Sequence, residues 1–299
     1  MTSDGSTDHQ ESAPVVTVLG AGTMGAGRVR SLRRAGLPVR VWNRDGAKAR
    51  ALADVGAVAF DSAAEAADGA DVVLTMLHDA DAVTDAIRRA APAPGTVWLQ
   101  TSTVGLDGVE RTIALARELG VEFVDGPVMG TRKPAEEGAL VFLASGSETA
   151  RDRLAPVFDA LGRKTIWLGE AGAGSRLKLA CNAWVLMLTA AVAQSVALAR
   201  ALGVDPQEFF EAIDGGPLAS LYARTKGGLI MSGEYPVSFA LSGALKDSHL
   251  IRSALRSADL SDRLMAAVAE TLEAAADRTP DAAAWDMSAI VEGLPTGPR

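Results

Sequence analysis

Lys178 and Asn182 stand four apart in GSRLKLACNAW (174–184), at the start of the most apolar segment of the chain. In a helix they share one face. Two readings are open: a solvated first turn, or a catalytic acid beside an amide that positions a substrate. A second constellation is GAGTMG (20–25), in which Gly20, Gly22 and Gly25 fit G-x-G-x-x-G around Thr23 and Met24. Gly20 permits a tight turn, Gly22 lets the backbone approach a pyrophosphate, and Gly25 lets the next helix pack closely on the strand. The helix then presents its N-terminal amides to phosphates. Glycines in turns are common, but this motif follows a short apolar run (15–19) and precedes a helical stretch, the context that dinucleotide binding requires.

In such sites an acidic residue about 20 residues beyond the glycines takes the adenosine ribose 2′-hydroxyl. This chain has Asn43 and Arg44 there. An amide and a guanidinium suit a 2′-phosphate, so NADP(H) is expected over NAD(H), with the neighbouring Asp45 acting against it. Three further segments fall at strand ends, where ligands bind in open α/β sheets. MLHDAD (76–81) offers Leu77 and His78 to the cofactor cleft, or is an ordinary loop with a helix cap. QTSTV (100–104) offers Ser102 and Thr103 to a substrate or to the nicotinamide amide, or caps the next helix. In DGPVMGTRKPAEEGAL (125–140), Gly126, Pro127, Gly130 and Pro134 predict a turn rather than a strand, and backbone amides in such a turn can hold a carboxylate.

These residues need a frame. Strand-like runs (VRVWN, DVVLTML, TVWLQ, EFVDG, ALVFLA, KTIWLG) alternate with helix-like stretches, which predicts βαβ units and a mostly parallel sheet. The alternation stops near Gly169. Beyond it, Ala/Leu stretches at helical period predict helices over 175–202, 205–214, 246–257 and 261–276. Asp205-Pro206 is a capped helix start. The expected architecture is therefore α/β: a polar tail (1–13) read as disordered, a Rossmann-type dinucleotide-binding domain (14–170), and an all-helical domain (171–299) built on one long helix.

The totals narrow the class. At 299 residues two domains are expected. With 48% hydrophobic and 22% charged residues the chain reads as a soluble globular protein. A formal net charge of −8 argues against nucleic acid or anionic membrane as the main partner. The single cysteine, Cys181, excludes an intrachain disulfide and Cys-rich zinc sites, and it reads as a core thiol. His9, His78 and His249 are scattered, so no metal site is expected. The tail lacks the basic and apolar regions of a signal peptide, and the longest apolar run, 183–193, is too short to span a bilayer. A reducing, cytoplasmic setting is the expectation.

Taken in order, GAGTMG, VWNR, TSTV, DGPVMGTRKPAEEGAL, GAGSRLKLACN and FALSGALKD resemble the β-hydroxyacid dehydrogenase family over nearly the whole chain after the tail. That family includes 3-hydroxyisobutyrate dehydrogenases and glyoxylate/succinic semialdehyde reductases. RKPAEEGALVFLASG, VWNR and WDMSAIVE are most similar to the latter branch, which pairs VWNR with NADPH. The resemblance implies that Lys178 is catalytic and that Asn182 positions the substrate. A hydride attacking a carbonyl leaves charge on its oxygen, which an ammonium can stabilise and protonate. It further implies that Ser102 and the loop around Met129, Gly130 and Thr131 hold a small carboxylated substrate. Gly20, Gly22, Thr23, Met24, Gly25, Asn43, Arg44, Leu77, His78, Thr103 and Lys246 would contact NADP(H), with Asp247 beside them. It implies a homodimer formed through the helical domain.

Three departures concern the substrate. Met129 stands where most members have serine, Gln100 where aspartate is common, and Cys181 where many have another asparagine. Imine reductases share the fold, the glycine motif and VWNR, but usually carry aspartate, tyrosine or an apolar residue at the position of Lys178. A non-catalytic NADP-binding module is a further alternative. A 6-phosphogluconate dehydrogenase would be longer, with a basic cluster for the sugar phosphate.

Overall fold

A computed structural model describes residues 13–294. The tail expected to be disordered therefore lies, but for Ala13, outside the described residues. The first domain alternates strand and helix in chain order. It runs β1 Val16–Leu19, α1 Thr23–Arg34, β2 Val39–Trp42, α2 Gly46–Arg50, β3 Val58–Ala59, α3 Ala63–Ala67, β4 Val72–Thr75, α4 Ala80–Ala90, β5 Val97–Gln100, α5 Gly105–Leu119 and β6 Glu122–Asp125. Then follow β7 Val128–Met129, α6 Arg132–Glu137, β8 Leu140–Gly146, α7 Glu148–Leu161 and β9 Gly162–Trp167. The sheet order is β3-β2-β1-β4-β5-β6-β8-β7, with β9 also beside β8. Strands β1 to β6 run parallel, β8 is antiparallel to β6, and β9 is parallel to β8.

Because the parallel strands are buried on both faces, they read as unbroken apolar runs. One core joins Val16 and Val18 of β1 to Val29 and Leu32 of α1 and to Leu154 and Val157 of α7. On the opposite face Leu19, Val73 and Trp98 pack on Ala66 of α3, Ile87 of α4 and Val109 of α5. Every strand from β1 to β5 therefore ends at one common edge, between two helical layers, and the glycine turn opens there.

The second domain consists of α8 Ala173–Ala201, α9 Pro206–Ile213, α10 Leu221–Ser232, α11 Leu241–Ser257, α12 Arg263–Ala276 and a 3₁₀ segment Met287–Gly293. Its core gathers Leu179, Leu186 and Val196 of α8 with Phe210, Ile230, Ile251, Leu272 and Ile290. By length and apolarity α8 alone, among the described residues, could cross a membrane. The 11-residue apolar run seen in the sequence is thus part of a much longer helix, and α9 to α12 pack around it.

Three sequence expectations change. The 125–140 loop is not all turn: it holds the two-residue strand β7 and the helix α6, whose Pro134 sits in the first turn, where no amide hydrogen is needed. Helix α11 begins at Leu241 rather than near Lys246, and α10 was not expected at all.

A cleft between the domains

A cleft of about 410 Å³ runs along the carboxyl edge of the sheet to the start of α8. Its first end is the glycine turn. Gly20 has φ +112, and a Cβ there would collide with Met76 O; a Cβ on Gly25 would collide with Gly20 O. A Cβ on Gly22 would meet nothing within 4 Å. Two glycines therefore shape the turn and one keeps the cleft open. Helix α1 has Gly22 at its N-cap, which offers no side-chain cap and leaves the first amides for a ligand. With the macrodipole they form an anion site. This donor set fits the pyrophosphate of a dinucleotide.

Gly20, Gly22, Thr23, Met24, Gly25, Asn43, Leu77, His78, Thr103, Gly130, Thr131, Lys178, Asn182 and Lys246 all line the cleft. Asn43 is tied in place, its Oδ1 accepting Ala21 N at 3.0 Å and its Nδ2 donating to Asp45 O at 3.0 Å. Three sequence-predicted residues stand elsewhere. Ser102 is fully buried behind the wall, because its Oγ accepts the Leu77 amide at 2.9 Å and its own amide donates to Gln100 Oε1 at 2.6 Å. Met129 lies outside the lining, with its Sδ 3.7 Å from Lys178 Nζ. Arg44 is exposed beyond the rim, with no hydrogen-bond partner among the described residues, and Asp45 is occupied in capping α2.

At the second end, Asp125 fixes the start of α8. Its carboxylate accepts Ser175 N at 2.7 Å and Ser175 Oγ at 2.8 Å, capping a helix 50 residues away. Burial pushes this carboxyl up to about 6, against the bonds from Ser175 and Ser145. Lys178 follows one turn on and donates to Val128 O at 2.7 Å. Burial pulls its ammonium down to about 8, although Asp247 opposes the shift. Asn182, almost fully buried, donates from Nδ2 to Asp247 Oδ2 at 2.6 Å. Lys246 Nζ lies 2.8 Å from Asp247 Oδ1 and donates to Thr103 O at 2.7 Å, which ties α11 to the end of β5.

The remaining wall was not foreseen. Tyr222 of α10 and the segment Val237, Ser238, Phe239, Ala240 and Gly243 close the cleft over Lys178, with Val128 and Val185 beside them. Asp286 holds this segment, accepting Ser238 N at 3.0 Å, Phe239 N at 3.0 Å and Lys226 Nζ at 2.6 Å. The buried Lys226–Asp286 pair therefore anchors the roof of the site. FALSGALKD contained part of this wall, and WDMSAIVE its anchor. Nothing in the sequence marked Tyr222.

A doubly wound sheet with a glycine cradle, joined through one cleft to a helical domain, defines a nicotinamide-dinucleotide-binding oxidoreductase. Residues 15–169 match the NAD-binding domain of 6-phosphogluconate dehydrogenase, and residues 172–294 match the NAD-binding domain of NADP-dependent 3-hydroxyisobutyrate dehydrogenase. Glyoxylate/succinic semialdehyde reductase 2 of Arabidopsis thaliana is 30% identical over 281 residues, which is 92% of this chain and 78% of the relative. The structure of Mycobacterium tuberculosis 3-hydroxyisobutyrate dehydrogenase with L-serine superposes with TM-score 0.84 at 28% identity, covering 94% of this chain and 98% of the other. A reductive aminase from Aspergillus terreus, in complex with NADPH and ethyl-5-oxohexanoate, gives TM-score 0.61 at 25% identity, over 94% and 99% of the two chains. The chain belongs to the β-hydroxyacid dehydrogenase family, as a 3-hydroxyisobutyrate dehydrogenase-like oxidoreductase.

Proposed function

We propose that the protein is an NADPH-dependent reductase of small carbonyl compounds, in the semialdehyde and 2-oxo acid class, with Lys178 as general acid. The observation that carries this reading is the half-buried ammonium of Lys178 facing the same cleft as the glycine cradle, one helical turn from Asn182. A nicotinamide cofactor bound at the cradle supplies hydride to a carbonyl carbon. Lys178 stabilises the charge that develops on the oxygen and gives it a proton. Burial that lowers the lysine toward neutrality makes it a better acid without discharging it at pH 7. Asp247 engages the Asn182 amide nitrogen, so the amide oxygen is left to accept a hydrogen bond from the substrate. Arg44, exposed and unpaired among the described residues, suits a 2′-phosphate, and Asp45 does not compete for it because it caps α2. The protein would work as a soluble homodimer in the cytoplasm, with no nucleic acid or membrane as partner.

The wall around Lys178 favours a second substrate class. Val128, Val185, Val237, Phe239 and Tyr222 offer apolar surface and one hydroxyl. This suits a bulkier ketone or a cyclic imine, and the ammonium favours the ketone.

NADPH oxidation with succinic semialdehyde and glyoxylate, wild type against Lys178→Ala, tests the assignment. Turnover that drops by at least about 100-fold in the variant supports it. Wild-type turnover of cyclic imines alone would replace it with the imine reading. NADPH binding without turnover of any carbonyl or imine would leave a binding module.

A further inference from the structure

Arg28 has no role in the reading above, and its environment is unusual. It lies on α1 four residues beyond Met24, on the same face, and is fully buried. A guanidinium carries five N–H donors and keeps its charge in proteins. Here Nη1 donates to Thr101 Oγ1, while Nε and Nη2 are buried with no partner. No carboxylate within the described residues pairs with it, and burial alone moves its pKa, down to about 9. A buried cation without a counter-ion costs several kcal/mol. It persists here beside a functional cleft.

Its position suggests what the charge does. Thr101, its one side-chain partner, lines the same cleft as the glycine cradle and Lys178, together with Met76 and Thr103. Hydride transfer requires the reacting end of the cofactor to come within reach of Lys178, and therefore along this stretch. An oxidised nicotinamide carries a positive charge and a reduced one does not. An unpaired cation behind that wall repels the first and tolerates the second.

We propose that Arg28 is an electrostatic positioning residue whose unpaired buried charge favours NADPH over NADP⁺ in the cleft, so that the reduced cofactor is loaded and the oxidised one is released. The proposal rests on the reading that the reacting end of the cofactor lies at Lys178. The same charge also acts on Lys178, where Arg28 adds to the downward pull on the ammonium. The second effect favours proton donation by Lys178, and the first favours exchange of spent NADP⁺ for NADPH. Asp247, the carboxylate in the cleft lining, is already faced by Lys246 at 2.8 Å and bonded by Asn182, and it makes no ion pair with Arg28.

The test is equilibrium binding of NADPH and of NADP⁺ to the full chain, by calorimetry and by fluorescence of bound NADPH. Wild type, Arg28→Met, Arg28→Gln and Arg28→Lys are compared. The wild type is expected to bind NADPH about tenfold more tightly than NADP⁺. Arg28→Met and Arg28→Gln should bring that ratio near one, and Arg28→Lys should retain it. A merely structural role would weaken both ligands equally and leave the ratio unchanged, which would overturn the proposal. Equal wild-type affinities would overturn it even if no variant folds. A wild type that binds neither cofactor would instead remove the cofactor reading itself.

Discussion

At the residue scale, the site depends on two kinds of position: a half-buried ammonium and glycines with different duties. If Lys178 is the proton donor, kcat/KM for carbonyl reduction should be flat below its pKa of about 8 and fall about tenfold per pH unit above it. The oxidative direction should show the mirror image, since there the neutral amine is the base. A pH–rate profile that stays flat to pH 10 would remove Lys178 from the chemistry. The glycines separate by what a methyl would meet. Gly22 is extended at φ −71, and a methyl there projects into open cleft. Gly22→Ala should leave Tm nearly unchanged while weakening NADPH by at least about tenfold, because it occupies the path of the pyrophosphate. Gly25→Ala drives a methyl into Gly20 O and should cost about 1–3 kcal/mol of stability. Thermal melting with parallel binding titrations distinguishes the two. The cradle is legible from its glycine spacing, whereas Lys178, Asn182 and Lys246 are singled out through the family resemblance, and all of them line one cleft. Ser102 stands outside the lining because its hydroxyl serves the Leu77 amide, a partner 25 residues away that spacing does not reveal.

At the element scale, the longer strands are legible because they are buried apolar runs that alternate with helices, whereas the two-residue β3 and β7 are too short to read. Helix α10 was not, for a physical reason. It contains Gly227 and Gly228, which weaken a helical pattern, yet a Cβ on Gly227 would collide with the Phe210 ring. Close packing of α10 on α9 selects the residue that local propensity rejects. Gly243 hid the first turn of α11 in the same way. The start of α8 carries a prediction of its own. Asp125 caps it from the end of β6, and burial holds its carboxyl at about 6, above the ordinary 3.8. The native state therefore holds that proton more tightly than the unfolded chain. Stability from this group rises as pH falls from about 6 to about 4, by about 3 kcal/mol at most, and the penalty is fully present at neutral pH. Asp125→Asn removes the titration. Denaturant midpoints of wild type relative to Asp125→Asn should thus increase from pH 7 to pH 4. A constant difference across that range would show that burial of the carboxylate is not the governing term.

At the scale of the whole molecule, the apolar surface of the helical domain is larger than its own core covers. Trp184 of α8 is 68% exposed and Leu221 of α10 is 84% exposed, with Leu198, Leu202 and Leu218 also open to solvent. An exposed apolar surface of this kind marks an interaction site. Trp184 and Leu221 adjoin Val185 and Tyr222, which line the cleft. A second copy covering them would stiffen the wall over Lys178 as well as bury apolar area. We therefore expect light scattering to give twice the 30.9 kDa of the chain. Trp184→Glu and Leu221→Glu should shift the mass toward the monomer, since a buried unpaired carboxylate is expensive in an interface. The cradle lies in the other domain, so NADPH affinity should change little while kcat falls. A monomeric wild type with full activity would refute the dimer. A monomeric variant with full activity would instead separate the dimer from catalysis and leave Lys226 and Asp286 alone to hold the roof of the site.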